Sequence, residues 1–136
     1  MSTIKIYRWE QEGYKPLVYS DGWQVALLNW EPLFDRENLD EIERHNQTDE
    51  VFVLLRGWSV LFVRPESGTL EAIDMEPGVI YNVPKGVWHN LVASRDVAFL
   101  IVENKNTHLN DTEIRPIEVG ELELLDNFLL KLGRVG

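Results

Sequence analysis

The sequence predicts an all-β domain, an antiparallel sandwich or barrel with a short C-terminal segment that reads as helical or extended. Three observations carry this. Short runs dominated by Val, Ile, Phe, Trp and Tyr, the residues that fit a pleated surface, recur along most of the 136 residues. Turn residues punctuate them at Asp21-Gly22, Arg56-Gly57, Pro65 to Gly68, Pro77-Gly78 and Pro84 to Gly86. The balance of 44% apolar and 26% charged residues is that of a globular chain, and the length suits one domain with one core.

Taken in order, strands are expected at 3–8, 15–19, 22–30, 41–45, 50–56, 58–64, 69–74, 79–83, 88–92 and 97–103. Arg56-Gly57-Trp58 lies between two strand-like runs and reads as a hairpin turn. Residues 33–42 (LFDRENLDEI) are polar and read as a loop or a short helical turn. In residues 118–134, Leu122, Leu124, Leu125, Phe128, Leu129 and Leu132 fall largely at helical spacing. That segment either docks on its own barrel and hides its apolar side, or exchanges with a second copy. The expected organisation is one domain over 1–136, with the barrel at about 22–104 and flanking segments 1–21 and 105–136.

Composition excludes several function classes. The chain has no cysteine, so disulfides, thiolate metal sites and a cysteine nucleophile are ruled out. No run of 18 apolar residues is present, and the first residues do not read as a secretory signal; a cytoplasmic protein with no membrane partner is the expectation. A net charge of −10 repels phosphate backbones, so nucleic acid is not an expected partner.

Chemistry-bearing residues are few. Of three histidines, His45 and His89 stand in turn-rich contexts beside aromatic strands. If 43–45 is extended, Glu43 and His45 share a face, because side chains alternate with period two. Glu50 opens the next strand and shares a face with Phe52 and Leu54, which brings a carboxylate beside His45 in an otherwise apolar pocket. His89 follows the turn Pro84-Lys85-Gly86. His108 lies in a polar stretch and reads as a surface loop residue, and Arg44 as a solvated residue on the face opposite Glu43.

These stretches resemble the two motifs of the cupin superfamily. In the first, G-x5-H-x-H-x(3,4)-E-x6-G, residues His45, Glu50 and Gly57 match the second His, the Glu and the closing Gly. In the second, G-x5-P-x-G-x2-H-x3-N, Gly78, Pro84, Gly86 and His89 match. The resemblance covers about residues 37–93 and implies a double-stranded β-helix, or jelly-roll, barrel. Glu37, Glu43 and Ala93 depart from the pattern, standing for the opening Gly, the first His and the closing Asn.

The departure at Glu43 bears on chemistry, since the family binds a divalent metal with three His and one Glu. The resemblance leaves two arrangements for this chain. In one, His45, Glu50 and His89 form a two-His, one-carboxylate set suited to Fe(II), and with Glu43 as fourth ligand also to Mn(II), Ni(II) or Zn(II). In the other, the four groups form a metal-free acid–imidazole network. If it is not a ligand, Glu43 is the candidate general base. Phe52, Tyr81 and Trp88 are candidates for a substrate pocket, with a core role as their bland alternative, and Tyr81 is the one suited to a polar contact.

The expected function is therefore a metal-dependent cupin acting on a small polar metabolite by oxygenase, isomerase or lyase chemistry, as a homodimer. The alternatives are a non-catalytic module binding a sugar or other small molecule, and a scaffold that has lost chemistry.

Overall fold

Alternation of inward and outward side chains sorts ten strands into two five-stranded antiparallel sheets. The computed structural model describes residues 3–66 and 68–134. The strands are β1 (Tyr14–Tyr19), β2 (Trp23–Asn29), β3 (Glu41–Arg44), β4 (Glu50–Arg56), β5 (Ser59–Arg64), β6 (Glu71–Asp74), β7 (Ile80–Val83), β8 (Trp88–Ala93), β9 (Ala98–Asn104) and β10 (Glu113–Pro116). Two 3₁₀ turns, Pro32–Phe34 and Arg36–Asn38, precede β3. A short helix α1 (Thr107–Asn110) precedes β10, and α2 (Val119–Leu132) follows it. One sheet runs β1-β2-β9-β4-β7 and the other β10-β3-β8-β5-β6.

The interior core joins the two sheets. Ala26, Leu28, Phe52, Leu54, Phe99 and Ile101 from the first sheet meet Leu61, Leu91 and Ala93 from the second. The second sheet is buried on its other face too. There Ile42, Val60, Phe62, Trp88 and Val92 pack under Leu125 and Leu129 of α2. This explains why SVLFVR in β5 is apolar without alternation: Leu61 serves one core while Val60 and Phe62 serve the other. Helix α2 thus hides its apolar side on its own sheet. A capping box between Glu118 and Glu121 starts it, and Gly133 with φ 71° ends it. Arg64 grips Glu121 through two hydrogen bonds, Nε at 2.7 Å and Nη2 at 2.5 Å.

Two local expectations change. Residues 3–8 form no strand, and Ile6 is exposed. Alternation describes side chains; it does not supply the neighbouring strand whose hydrogen bonds make a ladder. Residues 33–42 form short helical turns before β3, as expected. Strand β10, absent from the sequence reading, is exposed throughout and pairs only with β3, Ile114 opposite Glu43, so no buried face marks it. Strands β1 and β10 also carry the sheets beyond residues 22–104 at both ends.

The turn at Gly57 does not close a hairpin: β4 pairs with β7 and β9 while β5 pairs with β6 and β8, so the turn carries the chain from one sheet to the other, and it depends on glycine. The Gly57 φ is +74°, and a Cβ there would stand 2.6 Å from Ser94 Oγ and 2.9 Å from Val97 Cα. Gly57→Ala is expected to cost about 2–4 kcal/mol, combining left-handed strain with overpacking against backbone. A urea titration checks this; a loss below about 0.5 kcal/mol would mean the turn has room to shift.

Candidate metal centre

Four ligating side chains converge from three strands. Glu43 sits on β3, His45 follows β3 directly, His89 lies on β8 next to it, and Glu50 opens β4 in the facing sheet. Glu43 and His89 are register partners across β3 and β8. The turn before β8 is fastened to the first motif: Gly86 N–H donates to the His45 carbonyl, and Asp49 accepts from Lys85 N–H at 2.9 Å and Asn82 Nδ2 at 3.1 Å. Asp111 holds the loop after His45 by accepting from the backbone of Asn46 and Gln47, both at 2.9 Å. The ligating atoms of Glu43, His45, Glu50 and His89 all lie within 4.8 Å of one another.

The centre is almost dry. His45, Glu50 and His89 are 6%, 6% and 1% exposed, whereas the Glu43 side chain, at 37%, opens towards the cavity. Each histidine commits Nδ1 to a backbone carbonyl, His45 to Asp111 at 2.8 Å and His89 to Val87 at 3.0 Å. A neutral imidazole that donates from Nδ1 has a lone pair on Nε2. Both Nε2 atoms nevertheless face one oxygen, Glu50 Oε1, at 2.9 Å and 3.0 Å. Lone pairs on three atoms at that spacing need positive charge among them. Either both rings are protonated or a cation sits there.

The titration shifts follow from this crowding. Burial alone would lower His45, but the hydrogen bond and charge of Glu50 and the Asp111 carbonyl outweigh it and raise the group to about 9. His89 is raised for the same reasons. Burial pushes Glu50 up, and the two imidazoles more than reverse this, to about 2. Glu43 is raised, first by burial and then by the Glu50 charge. The cluster as a whole is a site that could bind a metal, as in cupin enzymes.

Beside it opens a cavity of about 230 Å³. Phe34, Phe52 and Ile101 supply apolar wall, and five glutamates line it: Glu31, Glu41, Glu43, Glu50 and Glu103. Glu103 belongs to a second polar group that the sequence reading missed. Its Oε1 accepts from the Tyr14 hydroxyl at 2.5 Å and from Gln24 Nε2 at 3.3 Å. Burial, then the charge of Glu50, raises Glu103 to about 7. The signal for Glu103 was present in the apolar run AFLIVEN, where Phe99, Ile101 and Glu103 share the inward face of β9. His108 is exposed on α1 as expected, yet it also lines the cavity and stands 3.2 Å from Gln24 Nε2.

The aromatic candidates separate. Phe52 lines the cavity, its ring 6.0 Å from that of His89. Tyr81 does not; it packs on the interior core, and its hydroxyl accepts from Glu76 N–H at 2.8 Å. Trp88 does not either. It precedes His89 on β8 and so points to the opposite face, under α2, where the guanidinium groups of Arg44 and Arg115 lie 4.6 Å and 5.0 Å from its ring. Arg44 faces away from Glu43 as expected, but it is held by Trp88 and by Glu113 at 3.2 Å instead of being freely solvated.

No protein-family model and no curated protein matches the chain. Solved structures do. The chain is similar to a cupin-2 domain containing protein from Shewanella frigidimarina, with 24% identity and a TM-score of 0.52 over 71% of this chain and 85% of that one. It is similar to KdgF from Halomonas sp., with 15% identity and a TM-score of 0.54 over 71% and 83% of the two chains. It also matches an oxalate decarboxylase from Bacillus subtilis at 14% identity and a TM-score of 0.52, over 71% of this chain and 26% of that one. Two five-stranded antiparallel sheets, a C-terminal helix and these likenesses together show that the chain has the cupin fold.

Proposed function

We propose that the chain holds one divalent transition-metal ion, Fe, Mn, Ni or Zn, with His45, Glu50, His89 and Glu43, and acts on a small polar metabolite in the adjoining cavity. The observation that carries this is the pair of Nε2 atoms converging on Glu50 Oε1 while both Nδ1 atoms are tied to backbone carbonyls. That second tie is the support metal-ligating histidines normally have, because it fixes the tautomer and aims Nε2 at the ion. The spacing supports this as well: the four side chains bring one ligating atom each to within 4.8 Å of one another, close enough to share an ion. Donors that are imidazole and carboxylate, without thiolate, suit these metals.

When bound, such an ion supplies Lewis-acid activation of substrate oxygen atoms. The reaction proposed is an oxygenation, an isomerisation or a lyase step, and resemblance to cupins supports all three alike. Phe52 and the dry interior around His89 exclude water from one side of the centre. Glu43 is the loosest of the four groups, 3.9 Å from His89 Nε2, and where it is not a ligand it is the carboxylate placed to take a proton from substrate. A non-catalytic binding module is the second reading, favoured by Glu43 standing where the family has its first His; ligand binding without turnover would decide for it.

The test is elemental analysis of protein purified without a chelating column, beside His89→Ala. One first-row ion per chain is expected in the native protein. The variant is expected to lose affinity by more than the roughly 10–100-fold that removal of a supporting residue costs. Native protein that stays metal-free after incubation with Fe(II), Mn(II), Ni(II) and Zn(II) would overturn the proposal.

A further inference from the structure

Charge at the site differs from what the cupin motif implies. Three neutral histidines and one glutamate under a divalent ion leave one net positive charge, which favours an anionic substrate. Here Glu43 stands at the first histidine position, so two glutamates balance the ion and the floor of the cavity is neutral. The walls then decide, and they are acidic. Glu31, Glu41 and Glu103 add three carboxylates, and among the described residues no Lys or Arg lines the cavity. These carboxylates sense one another: Glu31 is raised first by burial and then by the charges of Glu43, Glu12 and Glu41.

A separate observation points to a missing donor. Glu103 is 5% exposed, and its Oε2 has no hydrogen-bond partner among the described residues. A buried carboxylate oxygen left without a donor is costly and uncommon in native structures. Glu103 lines the cavity within hydrogen-bond reach of the Glu50 carboxylate, so two facing acids at this end lack a proton or a cationic donor to share. An ammonium group brings positive charge and three N–H donors, while Phe34, Phe52 and Ile101 offer apolar surface to its carbon skeleton.

We propose that the cavity takes a small metabolite bearing a protonated amine, in preference to a carboxylate or phosphate. The neutral floor rests on the metal reading above; the acidic walls and the open acceptor on Glu103 do not.

The experiment titrates zinc-loaded protein with butylammonium, 1-butanol and butyrate, which are similar in size and differ in charge, using calorimetry. Butylammonium is expected to bind about tenfold tighter than butyrate, and Glu103→Gln to lose about tenfold of that affinity. Because Glu103 is buried, circular dichroism checks the fold of the variant. If it fails to fold, Glu31→Gln at the half-buried cavity wall carries the test with the same expected direction. Butyrate binding as tightly as butylammonium would overturn the proposal, as would butylammonium affinity unchanged in the folded variant. Zinc content is read on the same samples. One zinc per chain without preference for butylammonium sinks the amine inference alone, whereas preference for butylammonium in protein that takes up no zinc sinks the metal reading and keeps the amine.

Discussion

Glu50→Ala is expected to abolish metal uptake and to destabilise the metal-free protein by about 3–5 kcal/mol, the usual cost of removing one partner from a buried ion pair. Glu50 earns this rank by position. Both imidazoles direct Nε2 at its Oε1, so one truncation strips two buried groups of their common partner, whereas loss of either histidine strips one. The remaining rings, 5.4 Å apart centroid to centroid, would face each other across a void without a counter-charge. Glu50→Gln separates the two effects. It keeps the shape and one carbonyl acceptor, so it should recover part of the stability while still failing to hold the ion. Metal analysis and urea unfolding of the three proteins check this together. Glu50→Ala retaining one ion per chain with an unshifted midpoint would remove Glu50 from the centre.

The stability of the metal-free protein should fall as pH rises from about 6.5 to about 9, and bound zinc should suppress the part of that fall due to the histidines. His45 is raised from 6.5 to about 9, so its contribution is complete below 6.5 and lost as pH climbs through 9. His89 moves in the same direction. Glu103, raised to about 7, adds to the loss, since its ionisation becomes harder in the fold than in the open chain. Glu50 acts at the other end. Held at about 2 against an ordinary 4.5, it contributes above 4.5 and loses that contribution as pH falls towards 2. The histidines and Glu50 alone would give a plateau near pH 4.5–6.5, and Glu103, whose loss runs from 4.5 to about 7, tilts it downward as pH rises. For His45 the rise from 6.5 to about 9 corresponds to on the order of 3 kcal/mol. Metal binding requires both rings neutral, so it should release about two protons per ion at pH 7 and tighten as pH rises. Urea midpoints across this range, with and without zinc, and calorimetry in buffers of different ionisation enthalpy measure both effects. A flat metal-free profile above pH 6.5 would rule out the imidazolium–carboxylate arrangement.

Much of this was legible because local physics decides it. Period-two alternation places Glu50, Phe52 and Leu54 on the inner face of β4, and the same rule puts His89 inside and its neighbour Trp88 outside. Applied to β9 it also marks Glu103, an inward carboxylate among apolar residues that sequence reasoning passed over. Turn chemistry likewise locates the turn at Gly57, where a positive φ and close backbone contact admit no side chain, but it does not reveal that the turn crosses between sheets instead of closing a hairpin.

The sequence by itself determined most of the strand pattern, the antiparallel sandwich or barrel and a short set of residues able to ligate a metal, because alternation, turn chemistry and motif spacing are written along the chain. Only the tertiary structure decided which of them meet. Tyr14 and Glu103 are 89 positions apart, and Asp111 lies 66 beyond His45, so their contacts depend on β2, β9 and β4 lying side by side and on α1 returning over the barrel mouth. The same holds for α2, whose apolar stripe is indifferent to its own sheet or another until β3, β5 and β8 present a second apolar face for Leu125 and Leu129. Side-chain periodicity is a property of a few neighbouring residues, whereas a cavity and its charge exist only where separate strands come together.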